Sequence, residues 1–503
     1  MFESRGAERN LSRPPLKRLL LSFWLDRPLL ISVALALVAL LWGLLLARLP
    51  LVDGALVSVL AGILIGSLLE PLVGVGGALF FGPLGAWLRA EFPKIPPFIG
   101  QYIFAATLLI WIIRGLIRRE LRIPAPPLLW PLFGFMTVLL LSLWEPADAW
   151  VSFMEWAKWA QILLLFLVTY DRLLAPGGER RVVVLVLILA AVVFFQAAVG
   201  IWQFGLRGEG PGHFAINERF YRAYGTFEQP NPFGGFLGFL GAFLTGIVLN
   251  AALEAWETRR LPHPWIWGVG CGLLVGIAAI LASWSRGAWM GFGAASLVLI
   301  ALLPRRAACG LLLVALLVGG GLGLYVTGLL PDQVADRLVG FLEYTRFEDV
   351  RGASINEANY AVLERMAHWQ SALEMWRDNF WLGVGFGGYE PAYPDYRLLN
   401  WPMALGHAHN YYLNLLAETG ILGLCAYLGF FALILVRLLK ALPRLKGWPH
   451  GVALGLLGAY THLLVHSLVD NLLVNNVHLH FGALLALSAW VMSQAHSRTL
   501  PSP

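Results

Sequence analysis

Stretches of about 17–25 apolar residues recur along the whole chain, the length a helix needs to cross a lipid bilayer. They predict spans over 29–48, 51–69, 72–88, 98–113, 128–144, 150–169, 182–204, 233–253, 265–282, 287–303, 307–329, 411–436, 451–469 and 478–493. Segments 51–69 and 72–88 are short and glycine-rich and could form a re-entrant pair, which would leave twelve spans. The expected fold is an all-α polytopic transmembrane helix bundle of 12–14 spans with a long, partly helical extracytoplasmic loop. In chain order the parts are a basic tail (1–28), N-terminal helices (29–204), a donor-side loop with helices (205–329), the large loop (330–410), C-terminal helices (411–493) and a tail (494–503).

Composition points the same way. The chain is 58% hydrophobic and 13% charged with mean hydropathy +0.69, more apolar surface than a soluble domain of 503 residues needs. Cys271, Cys309 and Cys425 all fall inside apolar spans, which rules out a disulfide framework or metal spacing built on cysteine. The basic start leads into a full-length span rather than a short cleavable leader. The pI of about 9.3 is a matter of topology and not of nucleic-acid binding. With the N-terminus inside, the short basic turns all fall on the cytoplasmic side: Arg114 to Arg122, Arg172 to Arg181, Arg259 and Arg260, Arg305 and Arg306, and Arg437 to Lys446.

Two long loops, 205–232 and 330–410, then lie outside. The second is too long for a plain connector. Within it, Val362, Met366, Trp369, Leu373 and Trp376 have helical spacing, predicting an amphipathic helix over 357–378 that lies on the membrane or caps a cavity. The two loops contain Arg207, Arg219, Arg222, Arg337, Arg346, Arg351, Arg365, Arg377 and Arg397 and no lysine. A planar guanidinium suits phosphate, although only five of the chain's 36 basic residues are lysines, so the bias is general. Placement says more. Arg286 sits in a tight outer turn against the positive-inside trend and should have a partner there, a lipid headgroup or a ligand. Arg222 precedes span eight, where Asn231 between Pro230 and Pro232 predicts stiff, extended backbone.

His409 and Asn410 stand where the large loop meets span twelve, with Gly420 and Gly423 following. At about 100° per residue a continuous helix returns both glycines to the His409 face, leaving a slot for a backbone or a lipid tail. An imidazole above such a slot suits chemistry on a lipid-borne substrate, and a helix N-terminus favours its neutral form. His407 is the rival base. Lys158 and Glu418 lie about 12 Å into their spans at about 1.5 Å per residue and are expected to pair, with Glu155 as the local alternative for Lys158. His462, His466 and Asp470 follow one face of span thirteen; hydrogen bonding that orients the site is favoured there over a metal. No metal-binding cluster is legible in the outer loops.

Four stretches in order resemble the O-antigen ligase and Wzy-type polymerase superfamily, over roughly 180–475. They are His409-Asn410 with Gly420 and Gly423, Arg222 to Asn231 (RAYGTFEQPN), Ser285-Arg286-Gly287, and LGVGFGGY at 382–389. The resemblance implies a membrane glycosyltransferase of the GT-C type in the bacterial inner membrane, where the distribution of basic residues puts both termini on the cytoplasmic side. Such an enzyme moves a glycan from a polyprenyl (undecaprenyl) diphosphate carrier to an acceptor hydroxyl on the outer side, inverting and without cofactor or metal. On this reading His409 is the base, Arg222, Arg286 and more weakly Arg219 bind the diphosphate, and Asn410, Asn231, Gly420, Gly423, Glu418, His466 and Asp470 support. Expected partners are the lipid-linked donor, a lipid or glycan acceptor and membrane lipids, with no nucleic acid. The alternatives are a Wzy-type polymerase, a protein O-oligosaccharyltransferase and, from another class, a lipid-linked oligosaccharide flippase.

Overall fold

The computed structural model describes residues 28–92, 98–216, 219–304, 306–330, 335, 349–356 and 359–497. The basic tail through Arg27, the loop residues Arg337 and Arg346, Arg305 and the last six residues lie outside that description. Among the described residues the fold is entirely helical, apart from one isolated bridge between Ala215 and Tyr221.

The chain forms two units, residues 1–65 and 66–503. The first carries α1 (Pro28–Leu46) and most of α2 (Leu51–Leu69), whose leucines are widely exposed, as side chains facing lipid are. The second opens with α3 (Pro71–Phe81) and α4 (Gly85–Glu91), bent 63° from one another. It continues through α5 (Ile99–Arg118), α6 (Leu129–Leu141), α7 (Ala149–Leu174), α8 (Gly178–Ile201), α9 (Pro230–Thr258), α10 (Pro264–Ala282), α11 (Arg286–Leu302) and α12 (Ala307–Val326). The cap helices α13 (Tyr360–Asp378) and α14 (Tyr389–Tyr396) follow, then α15 (Tyr411–Ala441), α16 (Trp448–His466) and α17 (Val477–Ser497).

Every one of the fourteen predicted segments falls on a helix. Among the described residues eight helices are long and apolar enough to cross a membrane, nine if the bent pair counts as one, so the chain is a multi-pass membrane protein. The irregularity expected of segments 51–69 and 72–88 together belongs to the second alone: α2 is an unbroken 19-residue helix. The break at Gly82 and Pro83 comes from a proline that cannot extend the α3 ladder.

The core is built on glycine. A Cβ at Gly246 of α9 would lie 2.2 Å from the Gly455 amide nitrogen, and one at Gly455 of α16 would lie 2.1 Å from the Phe243 carbonyl oxygen. Small residues let these backbones touch, the main source of helix association where lipid offers no hydrophobic drive. At the far end of α7, Glu70 binds Arg172 at 2.8 Å and Arg181 at 2.9 Å, and Arg114 donates to Leu69 O. These arginines, assigned to one side from the sequence, share one end of the bundle. The loops carrying the site lie at the other.

There the large loop folds into a cap. The buried face of α13 is Leu363, Met366, Ala367, Ala372 and Met375, offset from the expected stripe, in which only Met366 is fully buried. The offset arises because α13 is covered on two sides. Val350, Leu398 and Trp401 pack against its first half, and Val384, Tyr389, Tyr393 and Ala417 against its second.

Candidate active site: an arginine cavity beside a histidine–aspartate cluster

The loop before α9 is tied down by its own backbone. Arg222 N donates to Phe214 O at 2.8 Å and Ala223 N to Ala282 O at 2.9 Å, while the buried Gln203 side chain donates to Gly225 O at 2.8 Å. This delivers the Arg222 guanidinium to the α10–α11 turn, where Nε donates to Ser283 O at 3.0 Å and a terminal nitrogen to Asn231 Oδ1 at 2.9 Å. Asn231 itself departs from expectation. Its backbone is helical, with Pro230 opening α9 and Gln229 as the extended residue before it. Prolines belong in a first helical turn, where no amide donor is required.

Arg222, Asn231, Ser285 and Arg286 line a cavity of about 210 Å³ together with Arg365 of α13, His466 and Asp470. Ser285 caps α11 by accepting from Ala288 N, which starts the helix at Arg286 in the cavity lining. Arg365 was visible in the sequence only as one of nine loop arginines. No motif marks it, and it enters because α13 folds over the bundle. Arg219, by contrast, is exposed, stands over the Phe220 ring at 5.5 Å and is absent from this cavity's lining.

His409 is not on the helix. It sits at φ 51°, and α15 begins only at Tyr411, capped by Asn410, whose Oδ1 accepts from Tyr412 N and Leu413 N at 3.0 and 3.1 Å. The shared face with Gly420 and Gly423 therefore does not exist. Gly420 breaks the helix at φ 62°, ψ −167°. A Cβ there would lie 2.3 Å from the Trp381 carbonyl, and one at Gly423 would meet the Thr419 side chain. Gly420 admits the protein's own loop rather than a lipid tail, while Gly423 gives room to Thr419 of its own helix. That loop is the glycine-rich stretch 382–389. Gly383, at φ 67°, lies against the Ala417–Thr419 backbone, Val384 N donates to Ala417 O at 2.9 Å, and Ile421 N donates to Phe380 O at 3.0 Å.

Asp470 joins the two halves. It follows the end of α16 at His466, so it leaves the predicted helical face, lines the arginine cavity and turns its Oδ1 to His407 Nε2 at 3.4 Å and His409 Nδ1 at 4.0 Å. The sequence showed no metal-binding cluster in these loops; the fold makes one, with ligand atoms of His407, His409 and Asp470 within 4.8 Å of one another. The nearby guanidinium of Arg365 opposes a cation there, as it opposes protonation of both imidazoles. Burial pushes His409 down to about 3, with His407 adding to it, and pushes His368 to about 4. Neutral His409 is thus set by desolvation more than by a helix dipole.

His462 and His466 are fully buried, their rings 5.6 Å apart, against Gly238 and Gly291 and against Gly235 and Gly287 respectively. The expected Lys158–Glu418 pair is not made. Lys158 pairs with Glu155, one turn away, while Glu418 accepts from Tyr389 N at 3.3 Å. A three-residue helical spacing is cheaper in side-chain entropy than a pairing across helices.

An all-helical membrane bundle with a capped, arginine-lined cavity is a class defined by its architecture. Residues 271–428 match the family model Wzy_C, O-antigen ligase, which shows the resemblance over a narrower stretch than 180–475 and includes Arg286, His409, Asn410, Gly420 and Gly423. The match supports a membrane enzyme that transfers glycans, of the ligase or polymerase kind, with a lipid-linked glycan and an acceptor as substrates. No curated protein matches the chain.

Proposed function

We propose that the protein transfers a glycan from a polyprenyl diphosphate to an acceptor hydroxyl on the outer side of the bacterial inner membrane, as an O-antigen ligase-like glycosyltransferase. The observation that carries this reading is convergence. Arginines 222, 286 and 365, from three separate stretches, surround one cavity whose wall includes Asp470, the residue that faces His409. Guanidinium forks match diphosphate oxygens, and positive charge aimed at a leaving group is a large source of rate enhancement.

The acceptor oxygen attacks the anomeric carbon and forms the new glycosidic bond, while its proton passes to His409. With Nδ1 turned to Asp470, Nε2 is the nitrogen left for the substrate. The bond from the anomeric carbon to the phosphate oxygen breaks with its electron pair on the diphosphate, which the three arginines hold. Attack opposite the leaving group inverts the anomeric centre. A bound diphosphate also raises the basicity of a desolvated imidazole nearby, so the base strengthens when the donor is in place. Purified protein with polyprenyl diphosphate glycan and candidate acceptors tests the reading. His409→Ala should lower transfer by about 10²–10⁴-fold and leave donor binding intact; undiminished transfer overturns the reading, whereas donor transport that persists in this variant with no transfer by the wild type points to the flippase class.

A further inference from the structure

A cavity of about 720 Å³ opens at the end of the bundle where Glu70 binds Arg172 and Arg181, away from the arginine cavity. Three elements line it. The first turn of α8 gives Glu179 and Arg180, the end of α9 and the turn after it give Glu254, Arg260 and His263, and the turn into α16 gives Gly447 and Trp448. These walls are tied together. The buried Asn250 of α9 donates to Gly447 O at 3.1 Å, and its Oδ1 meets His450 Nδ1 at 2.9 Å. Trp265, also in the lining, stands edge to face with Trp448 at 6.3 Å.

Both signs of charge line this one space without neutralising each other. Among the described residues, Glu179, Arg180, Glu254, Arg260 and His263 make no ion pair and no side-chain hydrogen bond. Arg259, next to Arg260, is engaged elsewhere: its guanidinium stands 4.9 Å over the Trp256 ring, and it is absent from the lining. Below the charges the lining turns apolar, with Val184 of α8 and Ile247 and Ala251 of α9. Ile247 lies about 10 Å deeper than Glu254 at about 1.5 Å per residue. A charged mouth over an apolar stem has the outline of an amphiphile.

We propose that this cavity binds one phosphatidylethanolamine molecule from the leaflet opposite the active site. Its phosphate lies with Arg180, Arg260 and His263, its ammonium with Glu179 and Glu254, and an acyl chain runs along Val184, Ile247 and Ala251. Guanidinium forks match phosphate oxygens, and an ammonium carries N–H donors that carboxylates accept. The quaternary nitrogen of a choline carries none. A headgroup whose only charge is negative would leave both carboxylates opposing it. Trp265 and Trp448 suit headgroup depth, where aromatic residues gather. No lining residue is shared with the arginine cavity, so the inference does not rest on the transferase reading.

Full-length protein in detergent micelles is titrated with phosphatidylethanolamine, phosphatidylglycerol and phosphatidylcholine of matched chains, and retained lipid is read by native mass spectrometry. Phosphatidylethanolamine should bind about tenfold more tightly than either of the others, the equivalent of about 1.4 kcal/mol; equal retention of all three overturns the site. Glu254→Gln, at an exposed position, should bring phosphatidylethanolamine down towards phosphatidylcholine. Arg260→Gln, also exposed, should weaken both, because both carry the phosphate. Ala255→Trp fills the cavity from a half-buried position and should lower retention about tenfold with no change of charge. Unchanged retention in these three variants overturns the site. Arg118→Gln removes an exposed arginine outside the lining and should change nothing; an equal loss there reduces the binding to general attraction by a basic surface and overturns it. Glycerophosphoethanolamine, the headgroup without its chains, should fail to compete at the lipid's own concentration; competition there overturns the lipid as occupant.

Discussion

The backbone amide of His409 donates to Nδ1 of His407 at 3.0 Å. That bond assigns the His407 tautomer: Nδ1 is the acceptor, so the neutral ring carries its proton on Nε2, which faces Asp470 at 3.4 Å. Both His407 nitrogens are engaged, whereas His409 approaches Asp470 through Nδ1 alone and only at 4.0 Å. The geometry therefore favours His409 as base and gives His407 a positioning task. His409→Ala should lower turnover by about 10²–10⁴-fold, the range for a lost general base. His407→Gln should cost less, with kcat affected and donor affinity unchanged. Equal losses in steady-state transfer assays would reverse the assignment.

Arginine geometry rather than charge alone should matter in the cavity. Arg222→Lys keeps the charge but loses the paired contacts to Ser283 and Asn231, and Arg286→Lys loses the fork. Each should weaken donor binding or turnover at least tenfold. Arg365→Ala should do likewise although no motif marks it. Donor titrations on the three variants decide this, and near-normal behaviour of Arg365→Ala would make α13 a plain lid.

Transfer should persist in excess chelator, since the cavity holds three guanidinium groups for the diphosphate. Activity that disappears with chelator and returns with a divalent ion would instead make His407, His409 and Asp470 the functional metal site.

Acid should destabilise the fold through the cap. His368 and His409 titrate at about 4 and about 3 in the folded protein, below the ordinary 6.5 that the unfolded chain adopts. Between those values the unfolded chain binds protons that the folded one does not, so stability falls as pH drops from about 6.5 towards 3. Melting temperature in detergent should follow that direction, and His368→Phe should flatten the slope. A wild-type melting temperature independent of pH over this window would contradict the burial of these rings.

Gly383→Ala should destabilise the protein by more than about 1 kcal/mol, because φ 67° is strained for alanine and the new Cβ would sit 2.3 Å from the Glu418 carbonyl carbon. Gly420→Ala should do the same against Trp381. Thermal melting of both variants is the check; unchanged melting would mean that the loop and α15 separate without loss.

The helices were legible in the chain because a lipid-crossing segment needs an apolar run of set length, and each predicted run from 29–48 to 478–493 falls on one. The basic turns at Arg114, Arg172 and Arg181 were legible for a related reason, since topology sorts charge by side. Periodicity could not foresee where a helix stops being regular. Asn410 caps α15 after His409, and Gly420 breaks it, so an angular argument across them failed. Lys158 took Glu155 because a neighbour on one helix needs no tertiary arrangement. The convergence of Arg222, Arg286, Arg365, Asp470 and the two loop histidines was decided only in three dimensions. Those contacts join residues far apart in the chain, and they form because the glycine-rich loop at 382–389 docks on α15 and draws α13 over the bundle, an event that no local pattern encodes.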